Sequence, residues 1–145
     1  KIILTKRIDK ILKNRLKNKN ITFLGVTFKP NTDDLRESPS LAIIPRLIKM
    51  GVKINAHDPA YNKSFNNVKE FKSVVWKRNI FETVKGSDLM VIHTEWNEYR
   101  AIDLNKIKEL LLKPIILDLR NIFNNNELHD KGYLYYNIGT RYDEK

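Results

Sequence analysis

The chain has 145 residues, with 27 Lys+Arg against 17 Asp+Glu, no cysteine and a net charge of +10 at pH 7. That length suits one ordinary domain, and the absence of a thiol excludes a disulfide scaffold, a cysteine zinc site and a cysteine nucleophile within it. No apolar run approaches the ~20 residues that span a bilayer, and Lys1 opens the chain without a signal-peptide pattern, so we expect a cytoplasmic piece of a longer protein with no membrane partner.

Ile3, Leu4, Ile8, Ile11, Leu12 and Leu16 recur at three- and four-residue spacing, which predicts an amphipathic helix with a basic outer face. Residues 1–20 hold eight basic side chains and one acid, Asp9, leaving 19 basic and 16 acidic residues from Ile21 onward, a net +3. Abundant Lys, Asn and Ile match an AT-rich coding bias, and no helix-turn-helix, RNA-recognition or zinc-finger pattern accompanies the charge. We therefore expect no nucleic-acid partner. The polar break at Lys17–Asn20 sets the expected boundary, with 1–19 the end of a helix that precedes a domain at 20–145.

Residues 21–28 read as a buried strand, followed by a long polar loop over 29–37. Ser38-Pro39 has the form of an N-cap with proline at the first helical position. Leu41, Ile44, Leu47 and Ile48 give the next helix its inner face, Pro45 should kink it, and Gly51 stops it. A strand over 52–56 breaks at His57-Asp58-Pro59. Short elements follow, a strand over 74–76 and a helix over 80–84 closed by Gly86. Residues 89–93 are an apolar strand of the kind buried in a parallel sheet. Asp103 caps a helix bearing Leu104, Ile107, Leu110 and Leu111; 114–117 is another apolar strand, an Asn-rich helix ends at Gly132, and 133–138 is the last strand. Strands alternating with short helices predict an α/β fold: a Rossmann-like, doubly wound, mainly parallel sheet with helices on both faces.

Ligands of such sheets sit beyond the carboxyl ends of the strands, near the switch in strand order. Polar clusters stand at three strand ends: 29–37, His93-Thr94-Glu95-Trp96 and Asp118-Leu119-Arg120-Asn121. Lys29, Arg36 and Arg120 could face one crevice and hold a phosphorylated ligand. No G-x-G occurs, so a dinucleotide site of the usual type is not expected. His57, His93 and His129 match no metal-ligand spacing and read as turn or strand-end residues. No G-x-S-x-G elbow supports a serine hydrolase, and Asp33-Asp34 reads as a turn or cap.

The stretch Gly25-Val-Thr-Phe-Lys-Pro-Asn-Thr-Asp-Asp-Leu-Arg-Glu-Ser-Pro-Ser40 closely resembles the loop that opens the C-terminal, UDP-binding domain of UDP-glucose 6-dehydrogenases. His57-Asp58-Pro59, Thr94-Glu95-Trp96, Asp118 to Phe123 and Tyr136-Asn-Ile-Gly139 keep the same order, and the resemblance runs from Ile21 to about Arg141. Leu119, where a small residue is usual, and Thr140, between Gly139 and Arg141, depart from the pattern. The resemblance implies an enzyme that oxidises UDP-glucose in two NAD-dependent steps, with an N-terminal NAD domain and a catalytic cysteine that this chain lacks. It implies substrate contacts at Phe28 (through its backbone), Lys29 and Arg120, and a contact to NAD from Arg36. The helix at 1–19 resembles the end of an inter-domain helix that forms a homodimer contact. Sister enzymes acting on UDP-N-acetyl sugars or GDP-mannose, and a noncatalytic nucleotide-binding module from a split gene, remain as alternatives.

Overall fold

Six strands form one parallel sheet: β1 (Asn20–Leu24), β2 (Lys53–His57), β3 (Val75–Trp76), β4 (Leu89–Ile92), β5 (Ile115–Asp118) and β6 (Leu134–Asn137). Their order is β3-β2-β1-β4-β5-β6, the doubly wound arrangement with its switch between β1 and β4. The computed structural model describes residues 2–138; Gly139, Thr140 and Arg141 of the sequence pattern lie outside the described residues.

The helices are α1 (Ile2–Ile11), α2 (Ser40–Lys49), α3 (Ile80–Val84), α4 (Asn97–Arg100), α5 (Leu104–Leu110) and α6 (Asn125–Asp130). Alternate strand residues feed two cores, because successive side chains of a strand point to opposite faces. Phe23, Val91 and Leu117 pack with Ile8 of α1 and Ile43, Ile44 and Leu47 of α2. Leu24, Met90, Ile92 and Ile116 pack with Val84 of α3, Ile107 of α5 and Leu128 of α6. β4 is apolar throughout, and β5 as far as Leu117, because both faces are covered. This is the expected layered architecture, and the two 3-10 segments at Lys63–Asn67 and Lys69–Phe71 add Phe65 and Phe71 to the first core.

Local geometry adjusts some of these expectations. The strand expected over 21–28 ends at Leu24, because Gly25 turns the chain with φ +83°. α2 begins at Ser40 after Pro39: Ser38 Oγ accepts the Ser40 N–H at 3.4 Å, in keeping with the expected cap, and the hydroxyls of Ser38 and Ser40 also donate to the Val26 carbonyl, each at 2.6 Å. α2 runs uninterrupted through Pro45. The amino-terminal helix stops at Ile11, where Lys13 and Asn14 are left-handed, yet Leu12 and Leu16 still enter the core beside the sheet.

A Cβ on Gly25 would sit 2.4 Å from the Cβ of Thr94, whereas one on Gly86 (φ +76°) would meet nothing within 4 Å. Gly86→Ala should therefore cost only the left-handed backbone term, about 1–2 kcal/mol, and Gly25→Ala that term plus overpacking, about 3–5 kcal/mol. Urea midpoints of the two variants check this; equal losses would mean that Thr94 gives way.

Candidate functional site

The loops after β1, β2, β4 and β5 converge at the carboxyl end of the sheet. Gly25 follows β1, and its N–H donates to the His57 carbonyl. Asp58, next in chain, accepts from the backbone N–H groups of Val26 (2.8 Å), Thr27 (3.3 Å) and Ala60 (2.8 Å). A buried carboxylate with several amide donors is a device for fixing a loop. Burial raises the Asp58 pKa, partly offset by those amide bonds.

Across the switch, Thr94 packs on the bare face of Gly25, and its hydroxyl donates to the Thr27 carbonyl at 2.8 Å. With that proton committed, Thr94 Oγ1 can only accept from His93 Nδ1, 3.0 Å away, so His93 is the Nδ1–H tautomer. Its Nε2 is buried and makes no hydrogen bond within the protein. Burial, with Arg120 nearby, lowers the His93 pKa to about 3. His57 is also held below its ordinary value by burial, its Nδ1 2.8 Å from the Tyr99 hydroxyl, which donates to the His57 carbonyl.

Arg120 ties these loops together. Its Nε donates to the His93 carbonyl at 2.7 Å and its Nη2 to the Phe28 carbonyl at 3.0 Å, while Nη1 lies 3.8 Å from Glu95. Asp118 sets Arg120 in place: its carboxylate accepts from the N–H groups of Arg120, Ile122 and Phe123 and from the Tyr135 hydroxyl. The Asp118-to-Phe123 pattern is thus a carboxylate at a strand end organising the turn that follows it.

Of the residues singled out from sequence, Phe28, Lys29 and Arg120 come together at this end. Phe28 N–H donates to the Asp34 carbonyl, folding 28–34 back on itself. Lys29 is exposed. Arg36 is 89% exposed and forms a two-pronged pair with Asp34, both contacts at 3.0 Å, which holds the Asp34 pKa down to about 2. Gly25, Asp58, His93 and Thr94 organise the site without having been taken as site residues; in sequence Gly25 falls inside the expected first strand and Thr94 in a strand-end cluster, and their contact joins segments far apart in the chain. Among the described residues no cluster of His, Asp and Glu could hold a metal ion. Asp58 and Asp118 are committed to backbone amides, and the cationic donors at this end, Arg120 and exposed Lys29, are of the kind that suits an anion.

Acid should expose the strain at His93. An unfolded histidine titrates near 6.5, and the folded one stays neutral to about 3. Between these values the unfolded chain takes up a proton that the folded one refuses, so this contribution is intact above pH 6.5 and lost as pH falls, by up to ~1.4 kcal/mol per pH unit. Asp58, raised by burial, acts in the opposite sense in both proteins and cancels on comparison. Urea unfolding of wild type and His93→Gln between pH 7 and 4.5 should show a shallower pH slope in the variant; equal slopes would refute the assignment.

Comparison with known proteins converges on one family. The model of the UDP-glucose/GDP-mannose dehydrogenase family, UDP binding domain, matches residues 22–125. UDP-glucose 6-dehydrogenase of Rickettsia bellii is 35% identical over 139 residues, covering 96% of this chain and 32% of the relative. UDP-glucose 6-dehydrogenase YwqF of Bacillus subtilis is 39% identical over 137 residues, 92% of this chain and 31% of the relative. The chain thus spans about a third of the length of these curated relatives. Among solved structures, the NDP-N-acetyl-D-galactosaminuronic acid dehydrogenase of Methanosarcina mazei Go1 superposes with a TM-score of 0.77 at 25% identity, over 97% of this chain and 28% of its own. The chain belongs to the UDP-glucose/GDP-mannose dehydrogenase family, of which it carries the UDP binding domain.

Proposed function

We propose that this chain is the nucleotide-holding part of a cytoplasmic UDP-glucose 6-dehydrogenase, which oxidises UDP-glucose to UDP-glucuronate. The observation that carries the reading is the Arg120 tie beside exposed Lys29 at the switch of the sheet. A sugar nucleotide brings a pyrophosphate, and this end of the domain brings a planar guanidinium, an ammonium and a rigid backbone frame. In this reading Lys29 and Arg120 hold the pyrophosphate. The Phe28 backbone lines the nucleotide, its carbonyl keeping one lone pair beyond the one Arg120 uses.

In this reading NAD is not seated among the described residues. There is no G-x-G turn, and the open side of Gly25, where a phosphate would approach, is filled by Thr94. NAD as hydride acceptor is assigned to the rest of the dehydrogenase chain. Arg36, which stands out in solvent on the long loop, is assigned to reach toward that cofactor across the domain cleft. Ile2 and Ile3, 51% and 78% exposed at the start of α1, support packing of this helix against a second copy in a homodimer. The fold neighbour acting on an N-acetylated sugar keeps a UDP-N-acetyl-sugar dehydrogenase as the rival reading, since the nucleotide grip would be shared.

Titration of UDP-glucose into the chain, Lys29→Ala and Arg120→Ala tests the site. Each variant should lose roughly ten- to a hundredfold in affinity, the equivalent of one charge-assisted contact at about 1.5–3 kcal/mol. Lys29→Ala is the cleaner probe, because Arg120 also braces the loops. Unchanged binding by both variants would remove the site, and stronger binding of a UDP-N-acetyl sugar would favour the rival. The chain alone should reduce no NAD. In a polypeptide that includes the NAD domain, Arg36→Ala should lower NAD-dependent turnover and leave UDP-glucose affinity unchanged.

A further inference from the structure

The opposite end of the sheet carries a cavity of about 330 Å³, between the segment that follows α1 and the amino ends of β5 and β6. Lys13, Arg15, Lys19 and Lys113 line it together with an apolar wall that includes Leu134 and Tyr136, and no acid contributes to the lining. Lys13 and Asn14, left-handed with φ of 57° and 60°, reverse the chain after α1 and bring Lys13 and Arg15 to the rim. Lys113 arrives from a distant part of the chain, placed by Pro114, whose carbonyl accepts the Leu134 N–H at 2.8 Å. Among the described residues no hydrogen bond or ion pair ties any of these four cationic side chains to an acid.

A cation beyond the last turn of α1 is partly accounted for by the helix dipole. That explanation covers Lys13 and does not reach Lys113, which belongs to another element. Like charges gathered around a concavity with low-dielectric walls focus the field into it and favour a multiply charged anion. The volume lies at the lower end of small-molecule sites, roughly 300–1,000 Å³, and the apolar wall suits a flat ring.

We propose that this cavity is a second ligand site, separate from the crevice, for a nucleotide-sized polyanion. Its phosphates would lie among Lys13, Arg15, Lys19 and Lys113, and its ring against Leu134 and Tyr136. The site does not depend on the reading of the crevice.

Adenosine 5′-diphosphate is the probe, titrated into the full chain with backbone amide resonances as readout. The expected result is saturable shifts at 13–19, 113–115 and 134–136, weakened by added salt. Arg15→Glu together with Lys113→Glu, both on the surface, should weaken binding at least tenfold, whereas Arg120→Ala should leave it unchanged. Inorganic pyrophosphate should bind several-fold more weakly than the nucleotide. The proposal falls if shifts are confined to 25–29, 93–96 and 118–121, if none saturates, if charge reversal has no effect, or if pyrophosphate matches the nucleotide. Titration with UDP-glucose reads the crevice residues separately, so failure at one end is distinguishable from failure at the other.

Discussion

Where β1 and β4 end, the N–H groups of His93 and Thr94 both donate to the Leu24 carbonyl, and the close approach of Gly25 to Thr94 continues the join beyond the ladder. Only a residue without a Cβ permits that approach, and from it the rest of the crevice follows. Thr94 comes near enough to hydrogen-bond the Thr27 carbonyl, which fixes the tautomer of His93. The carbonyls of Phe28 and His93 are then held where one guanidinium can span them. In a dinucleotide domain the glycine after the first strand leaves room for a ligand; here the same economy of volume is used to join two loops.

Charge is sorted by depth around this frame. The buried acids, Asp58 and Asp118, face inward and gather backbone N–H groups. The cations remain toward solvent. Acids temper them: Arg36 pairs with Asp34, Arg120 lies near Glu95, and Lys29 feels the Asp34 charge without a close ion pair among the described residues. The acids therefore supply rigidity and the cations supply attraction, so a bound anion would find donors already oriented and lose little entropy in ordering them.

Much of this was legible in the chain. Continuous apolar runs such as 89–92 and 115–117 announced strands covered on both faces, and glycines at 51, 86 and 132 marked turns. Lys29 and Arg120 could be placed at one end of the sheet because both follow apolar strands. Features that depend on contacts between distant segments were less accessible. Ser38 has the composition of a cap, but its donation to the Val26 carbonyl, a partner twelve residues away, is not visible in the local sequence. Nothing adjacent to Gly25 in sequence reveals that Thr94 fills its open side. The first strand was read as too long for the same reason, since Val26, Thr27 and Phe28 have strand-like side chains and are bound instead to Asp58 and Asp34.

The acceptors that Arg120 uses are main-chain oxygens, and every residue type provides one. The clamp itself does not read the side chains at positions 28 and 93, so exposed Phe28 is free to drift under mutation while the two loops stay joined, whereas His93 is held by its own burial and by Thr94. Tolerance is concentrated on the acceptor side, and constraint falls on one arginine and the aspartate that positions its backbone. Such an arrangement lets the walls of a pocket diversify between lineages without the frame around it having to be rebuilt.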